Sequence, residues 1–231
     1  MPIGVIVNCL SVLVGGLIGT VLAKVIPNGL KDNLPCIFGY ASIGIGINSI
    51  IKAHSMTPVV LALLFGFTIG QLIHLEARVQ GFFSGLVHTL HLGNENMDMN
   101  FYITAVALFC CSGFGWYGAI TEGITGDPGL LMSKAVLDAF TAMVFATVAG
   151  KAICIIPAPQ IVIMLLVFGC GRLLAPFLTP TMFSDFSACG GVLTLAAGFR
   201  VAKIKSVPII DLMPALILVM PFSALWFALM G

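Results

Sequence analysis

The sequence predicts an all-α fold, a polytopic transmembrane helical bundle of about eight spans, and three observations carry that expectation. Hydrophobic residues make up 59% of the chain and charged residues only 8%. An ordinary soluble domain carries roughly 25% charged residues, so too few polar side chains are present here to coat a soluble core. Mean hydropathy is +1.13, and apolar runs of about 20 residues, the length that crosses roughly 30 Å of hydrocarbon, recur along the whole sequence. Glycines recur at small-xxx-small spacing, as in Gly15–Gly19 and Gly66–Gly70, the pattern that lets membrane helices approach closely.

In chain order the spans fall at 3–24, 34–52, 57–74, 101–120, 128–150, 156–178, 186–202 and 207–229. The first, MPIGVIVNCLSVLVGG onward, lacks a basic leader region, so it reads as a span and not as a cleavable signal peptide. Gly39, Gly44 and Gly46 smooth one side of the second span. Between the third and fourth lies the one long connection, 75–100. There Leu75, Val79, Phe82, Phe83, Leu86, Val87 and Leu90 form one stripe, which predicts an amphipathic helix in the membrane interface followed by a polar connector.

The organisation expected is a single integral membrane domain over 1–231. It comprises a first repeat (1–74), the interfacial helix and connector (75–100), a central unit (101–150) and a second repeat (156–231). Displacing the chain by 153 positions superposes Leu13, Val14, Gly16, Pro27, Asp32, Cys36 and Lys52 on Leu166, Val167, Gly169, Pro180, Asp185, Cys189 and Lys205. Spans 1–3 then correspond to spans 6–8 in opposite orientation, an inverted repeat of the kind that encloses transporter sites near the bilayer midplane. With eight crossings, Lys24, Lys31, Arg78, Lys151, Arg200, Lys203 and Lys205 share one side and Lys52 and Arg172 the other. The richer side is the cytoplasmic one, which puts both termini outside. A re-entrant fifth segment would weaken this split, so a full crossing is favoured.

The central unit carries the chemistry. Gly113, Gly115, Gly118, Gly123 and Gly126 crowd into FCCSGFGWYGAITEGITGD, where each glycine weakens a helix by up to about 1 kcal/mol, so loosened or broken backbone is expected. Asp127 is placed to cap the fifth span, with Pro128 at its first position. At 1.5 Å of rise per residue, Lys134 then lies roughly 10 Å and Asp138 roughly 16 Å along the helix, near mid-bilayer. A lone charge at that depth costs at least about 2.5–3.5 kcal/mol, and the i,i+4 spacing lets the two offset one another. Such a pair is either a structural tie or the marker of a solute or proton pathway. Asn8 and Asn48, the other costly polar groups in spans, line the same cavity or form interhelical hydrogen bonds. Asp211, at the start of the last span, reads as a helix-terminus residue.

Other chemistry is excluded or unsupported. Net charge is +1 and no basic run is present, so no nucleic-acid partner is expected. The seven cysteines include no CxxC pair and read as small packing residues. His88 and His91 have a ligand-like i,i+3 spacing but no third ligand in register, and no metal or other cofactor is expected. The HExxH, P-loop and GxSxG signatures are absent, and the HxE at His74–Glu76 has no PCxxC after it, so the chain is not expected to be an enzyme.

The stretch FCCSGFGWYGAITEGITGDPGLLMSKAVLDAF resembles the central signature of the YdfK/YqgA-type bacterial inner-membrane family of unknown function. That signature runs through G-A-I/L and G-L-x-G-D to L-x-x-K-x-x-x-L-D. It corresponds here to Gly118, Ala119, Ile120, Gly123, Gly126, Asp127, Lys134, Leu137 and Asp138. The resemblance extends along the chain to LMPAL with Pro214. Ser112-Gly113-Phe114-Gly115-Trp116 replaces the usual G-S-M-A-like stretch, and Ile124 stands where Leu is common. The resemblance implies an inner-membrane protein and names no activity.

These readings together predict a secondary transporter or permease for a small solute or ion. Its binding site is expected among Lys134, Asp138, Asp127, Ser112, Gly113, Asn8 and Asn48, with nothing catalytic. The alternatives are a channel or pore with the same lining, and a non-transporting regulatory or scaffold membrane protein whose ion pair is structural. The partners expected are the lipid bilayer, the solute or ion, and further copies of the chain packed through Gly-rich helix faces.

Overall fold

The computed structural model describes residues 1–23, 27–89, 99–110, 112–205 and 207–230. Every regular element among them is helical: α1 (Ile3–Leu22), α2 (Asn28–Ile50), α3 (Met56–Leu72), α4 (Leu75–Thr89), α5 (Met99–Cys110), α6 (Gly113–Thr125), α7 (Gly129–Ala149), α8 (Pro157–Leu174), α9 (Pro180–Val201) and α10 (Pro214–Met230). Short 3-10 turns, Gly150–Ile155, Ala175–Phe177 and Ile210–Leu212, extend α7 and α8 and lead into α10.

Local chemistry sets the ends. Ser112 caps α6, its Oγ accepting from Gly115 N at 3.0 Å, and Gly126 ends that helix in the left-handed region at φ 75°. Gly150 closes α7 at φ 61°, a backbone that side-chain-bearing residues avoid. Pro157 and Pro180 open α8 and α9, where the missing N–H is not needed. The last residues before α4 turn at His74, φ 51°, and α4 departs from the α3 axis by 55°.

Among the described residues, five helical stretches are long and apolar enough to cross a membrane: Ile3–Leu22, Gly129–Ile155, Pro157–Phe177, Pro180–Val201 and Ile210–Met230. The bent pair Met56–Leu72 with Leu75–Phe82 makes a sixth if taken as one span. The sequence expectation of eight differs from this at two places. The expected span at 101–120 is divided into α5 and α6, of 12 and 13 residues, each too short to cross alone. The break falls before Ser112 and not among the glycines, which lie within α6 or end it. The apolar part of α2 is Cys36–Ile50, also short of a full span. The seventh expected span begins at Pro180, six residues earlier than its apolar pattern suggests, because Thr179 caps it by accepting from Met182 N.

Contacts group the chain into two compact units, Met1–Pro35 with Arg78–Ala175, and Cys36–Ala77 with Pro176–Gly231. In the first, α1 runs parallel to α7 at backbone contact. A Cβ on Gly15 would overlap the carbonyl of Ala139, and one on Gly19 that of Met143. Gly123 and Gly171 bring α6 and α8 together in the same way, against the carbonyls of Phe168 and Ile120. Val5, Cys9, Ala119, Leu131, Met164 and Val167 form the apolar core between these helices. In the second unit α2 and α9 cross antiparallel in reciprocal contacts: a Cβ on Gly46 would lie 2.7 Å from Gly191 O, and one on Gly198 2.7 Å from Gly39 O. There α3 runs antiparallel to α10, with Gly66 on Ala215 and Gly70 on the Asp211 carbonyl.

Filling such a contact forces two backbones apart. Gly19→Leu is expected to destabilise the protein by about 1–3 kcal/mol or more, read as a fall of several degrees in the thermal midpoint of the purified protein. Gly169→Ala, whose Cβ meets nothing within 4 Å, should leave the midpoint unchanged or raised.

Candidate functional site

The i,i+4 spacing on α7 brings Lys134 and Asp138 together, and Lys134 Nζ donates to Asp138 Oδ2. The same oxygen accepts from Asn8 Nδ2 of α1 at 2.8 Å. Asn8 Oδ1 in turn accepts from Gln160 Nε2 of α8 at 2.9 Å. Four polar side chains from three helices thus form one chain of hydrogen bonds. Lys134 is 3% exposed, Asp138 9%, and Asn8 and Gln160 0%. Ionised side chains this deep cost several kcal/mol each in lost hydration, which close pairing and further hydrogen bonds offset.

The donors and acceptors of this chain are fixed in sequence from the carboxylate outward. Asp138 only accepts, so Asn8 must present its Nδ2 to it and its Oδ1 to Gln160. Gln160 must then spend an N–H on Asn8, and its buried Oε1 has no hydrogen-bond partner among the described residues. A buried acceptor left unpaired costs about 1–3 kcal/mol. The arrangement can therefore receive one more donor.

Of the residues expected at the site, the structure brings Asn8, Lys134, Asp138 and Ser112 into one region. Gly115 lies between Ser112 and the lysine stem: a Cβ there would be 2.9 Å from Ser112 Oγ and 3.0 Å from Lys134 Cε. Gly113 contributes only as the first residue of α6. Asp127 is exposed and stands one residue earlier than expected. Pro128 occupies the cap position of α7, and Asp127 Oδ1 accepts from Gly129 N at 2.9 Å. Asn48 is exposed on α2, in the second unit, and takes no part in the quartet. Both charged side chains are buried, so the alternatives that the sequence leaves open for the pair, a structural tie or a pathway, stay open. His91, and the side chain of His88, lie outside the described residues. No group of three metal-ligating side chains occurs among those described.

Gln160 and Glu122 belong to this region and are not foreseen from the sequence. Gln160 carries the same signal as Asn8, an uncharged amide in an apolar span. Glu122, 1% exposed, accepts from Gly4 N at 2.7 Å and Val5 N at 3.2 Å, so a carboxylate of α6 caps the start of α1. Those residues are 118 and 117 positions apart, and no local pattern announces the partnership. The second unit repeats the device. Asp185 Oδ1 accepts from His54 N at 2.9 Å and Ser55 N at 2.8 Å at the start of α3. Asp211 accepts from Glu76 N at 2.8 Å at the start of α4, and from the Gln71 amide. Asp211 thus has the helix-terminus role expected of it, but serves α4 and not the last span. Glu76 also pairs with Arg200 at 2.9 Å.

The family described as "Protein of unknown function (DUF554)" matches residues 3–224, and the chain belongs to it. It is 40% identical to "Uncharacterized protein YqgA" of Escherichia coli (strain K12), over 99% of both chains. It is 26% identical to "Uncharacterized membrane protein YdfK" of Bacillus subtilis (strain 168), over 93% of both chains. No solved structure matches the chain. With its apolar helices and these relatives, the protein is a helical membrane protein.

The ion pair makes a non-additive pair of mutations the informative one. Lys134→Met strands Asp138 and should cost about 3–5 kcal/mol. The double variant Lys134→Met with Asp138→Leu removes both charges and should recover most of that loss, measured by thermal melting of each purified variant.

Proposed function

We propose that this DUF554 member is a secondary transporter or permease for a small solute or ion, and that the Lys134–Asp138–Asn8–Gln160 quartet is its exchange centre, held closed in the conformation described. One observation carries the reading: an ion pair buried in an apolar span is tied to two further helices through amides, and the last amide keeps an unpaired acceptor. Ionisable groups inside membrane spans mark solute and proton pathways by default. Asp138 carries a proton or cation in this scheme, and Lys134 supplies the countercharge or meets an anionic group. The solute presents an N–H or O–H to Gln160 Oε1. Opening requires α1 to part from α7. No catalytic role is assigned to any residue.

The eight-span reading, inverted repeat included, belongs to the same proposal, and helix directions support it. In the second unit α3 and α10 are antiparallel. If both cross, an even number of crossings separates them, and the proposed count meets this with the α5–α6 pair, α7, α8 and α9. In the first unit α1 and α7 are parallel, so an odd number separates them. The proposed count meets this with α2, α3 and the α5–α6 pair as the three crossings. On this count both termini lie on the side poorer in Lys and Arg, outside the plasma membrane of a bacterium. Assembly of several copies through exposed glycine-bearing faces completes the picture.

Burial of both charged heads favours a second reading, a regulatory or scaffold membrane protein in which the pair only clamps helices. A pore with the same lining would pass steady single-channel current. Proteoliposomes loaded with a pH-sensitive dye separate these. Under the transport reading, Asp138→Asn melts lower because Lys134 loses its partner, but still inserts and elutes as the wild type does and loses at least tenfold in proton flux after a pH jump. The charge-swapped Lys134→Asp with Asp138→Lys should likewise fold and fail to transport. If Asp138→Asn fails to insert or to assemble, the clamp reading prevails.

A further inference from the structure

The second unit holds a cleft that the quartet does not use. It lies where α3 begins, α9 begins and α10 ends, measures about 150 Å³, and is lined by His54, Asp185, Ser223, Trp226, Phe227 and Met230. One water needs only about 10–15 Å³ of such space, so there is room for a molecule of several heavy atoms. His54, Phe227 and Met230 are exposed at the rim, while Asp185 and Ser223 are buried at the base. The Phe227 and His54 rings form one wall, their centroids 6.5 Å apart and tilted by 58°.

The base is electrically incomplete. Asp185 is 1% exposed, and no Lys or Arg forms an ion pair with it among the described residues, in contrast to Asp138 with Lys134 and Glu76 with Arg200. Its Oδ1 is occupied by two backbone N–H groups at the start of α3, whose helix end counts for roughly half a positive charge. Its Oδ2 takes a single hydrogen bond, from Ser223 Oγ at 2.7 Å, and a carboxylate oxygen accommodates two. The helix end thus offsets the carboxylate only in part, at the base of an aromatic-walled cleft. Indole and phenyl faces attract cations and carry apolar surface. An anion would meet the carboxylate, and a bare metal ion would find neither a third ligand nor a reason for the rings.

The geometry points to a binding site for a small organic ammonium ion, its charge toward Asp185 Oδ2 and its alkyl groups on Trp226 and Phe227. The ammonium group of a lipid ethanolamine and that of a soluble amine have the same chemistry, and the cleft receives either. This site is independent of the quartet, and its loss would leave the transport proposal standing.

The test uses the full-length chain purified in a maltoside detergent, with ethylammonium chloride as the probe and sodium chloride at equal ionic strength as control. A saturable rise in melting temperature with ethylammonium alone is expected. Trp226→Leu, which leaves the cap on α3 untouched, should weaken the apparent affinity about threefold or more. Asp185→Asn should weaken it at least tenfold. If Asp185→Asn does not fold, the Trp226→Leu result decides. In nanodiscs, probe binding in phosphatidylglycerol that is abolished in phosphatidylethanolamine identifies the lipid headgroup as occupant; equal binding in both identifies a soluble amine. No saturable effect in detergent or in either lipid, or binding that Trp226→Leu leaves unchanged, overturns the proposal.

Discussion

Asp138 sits where water cannot reach freely, and one of its oxygens serves both the lysine one turn earlier on α7 and an amide of α1. In hydrocarbon, every polar group that lacks a partner costs several kcal/mol, so a carboxylate there must collect its partners from whatever helices lie within reach. That requirement determines the first unit. It draws Asn8, and through Asn8 Gln160, into the interior, and so sets which faces of α1 and α8 turn toward α7. The backbone obeys the same constraint. The opening N–H groups of α1 are met by Glu122, those at α3 by Asp185 and that at α4 by Asp211, each from a residue distant in sequence.

Close helix approach is what makes such short-range chemistry available. Asn8 is a short side chain, and it reaches Asp138 at 2.8 Å because α1 and α7 touch through Gly15 and Gly19 with no side chain between them. Asn8, Gly15 and Gly19 lie on one face of α1 at helical spacing, so the face that brings the backbones together also carries the polar group. The contact is also the obstacle to opening the site: uncovering Asp138 means separating two backbones packed at van der Waals distance, a collective motion and not a rotamer change. A transport cycle built on this quartet would therefore be carried by displacement of α1 as a body.

How far these features are legible in the sequence follows from the range of the interactions. The helical membrane class is carried by composition and run length, which are summed over many residues and survive local error. The pairing of Lys134 with Asp138 is also readable, because i,i+4 spacing fixes it within one helix. Asp127 is read one residue out, since an aspartate before a proline satisfies a nearby N–H from either of two adjacent positions. The break between α5 and α6 is anticipated in the glycine run but falls at Ser112, where a side-chain cap replaces the intrahelical bonds; further on, Gly123 packs on the backbone of α8, while Gly115 and Gly118 lie against side chains of α7. Glu122 and Gln160 are invisible locally because their partners lie more than a hundred residues away. Two amides of the same appearance, Asn8 and Asn48, end in opposite situations, one buried and one exposed. Only tertiary packing distinguishes them.

Four buried carboxylates show how a membrane helix bundle can settle an acid in different ways. Asp138 has a lysine and an amide; Glu122 has only helix N–H groups; Asp211 has a helix N–H and an amide. Asp185 has helix N–H groups and a hydroxyl, and it lines a cleft with aromatic walls. Backbone dipoles neutralise a carboxylate only in part, and they cannot be withdrawn without unwinding a helix, which makes Glu122 and Asp211 fixed joints. A lysine partner is different in kind. Its flexible stem lets it swing or exchange partners, so the Lys134–Asp138 pair can be opened without breaking a helix. By that criterion the first unit keeps a rearrangeable charge pair on α7, under the helix whose displacement would expose it.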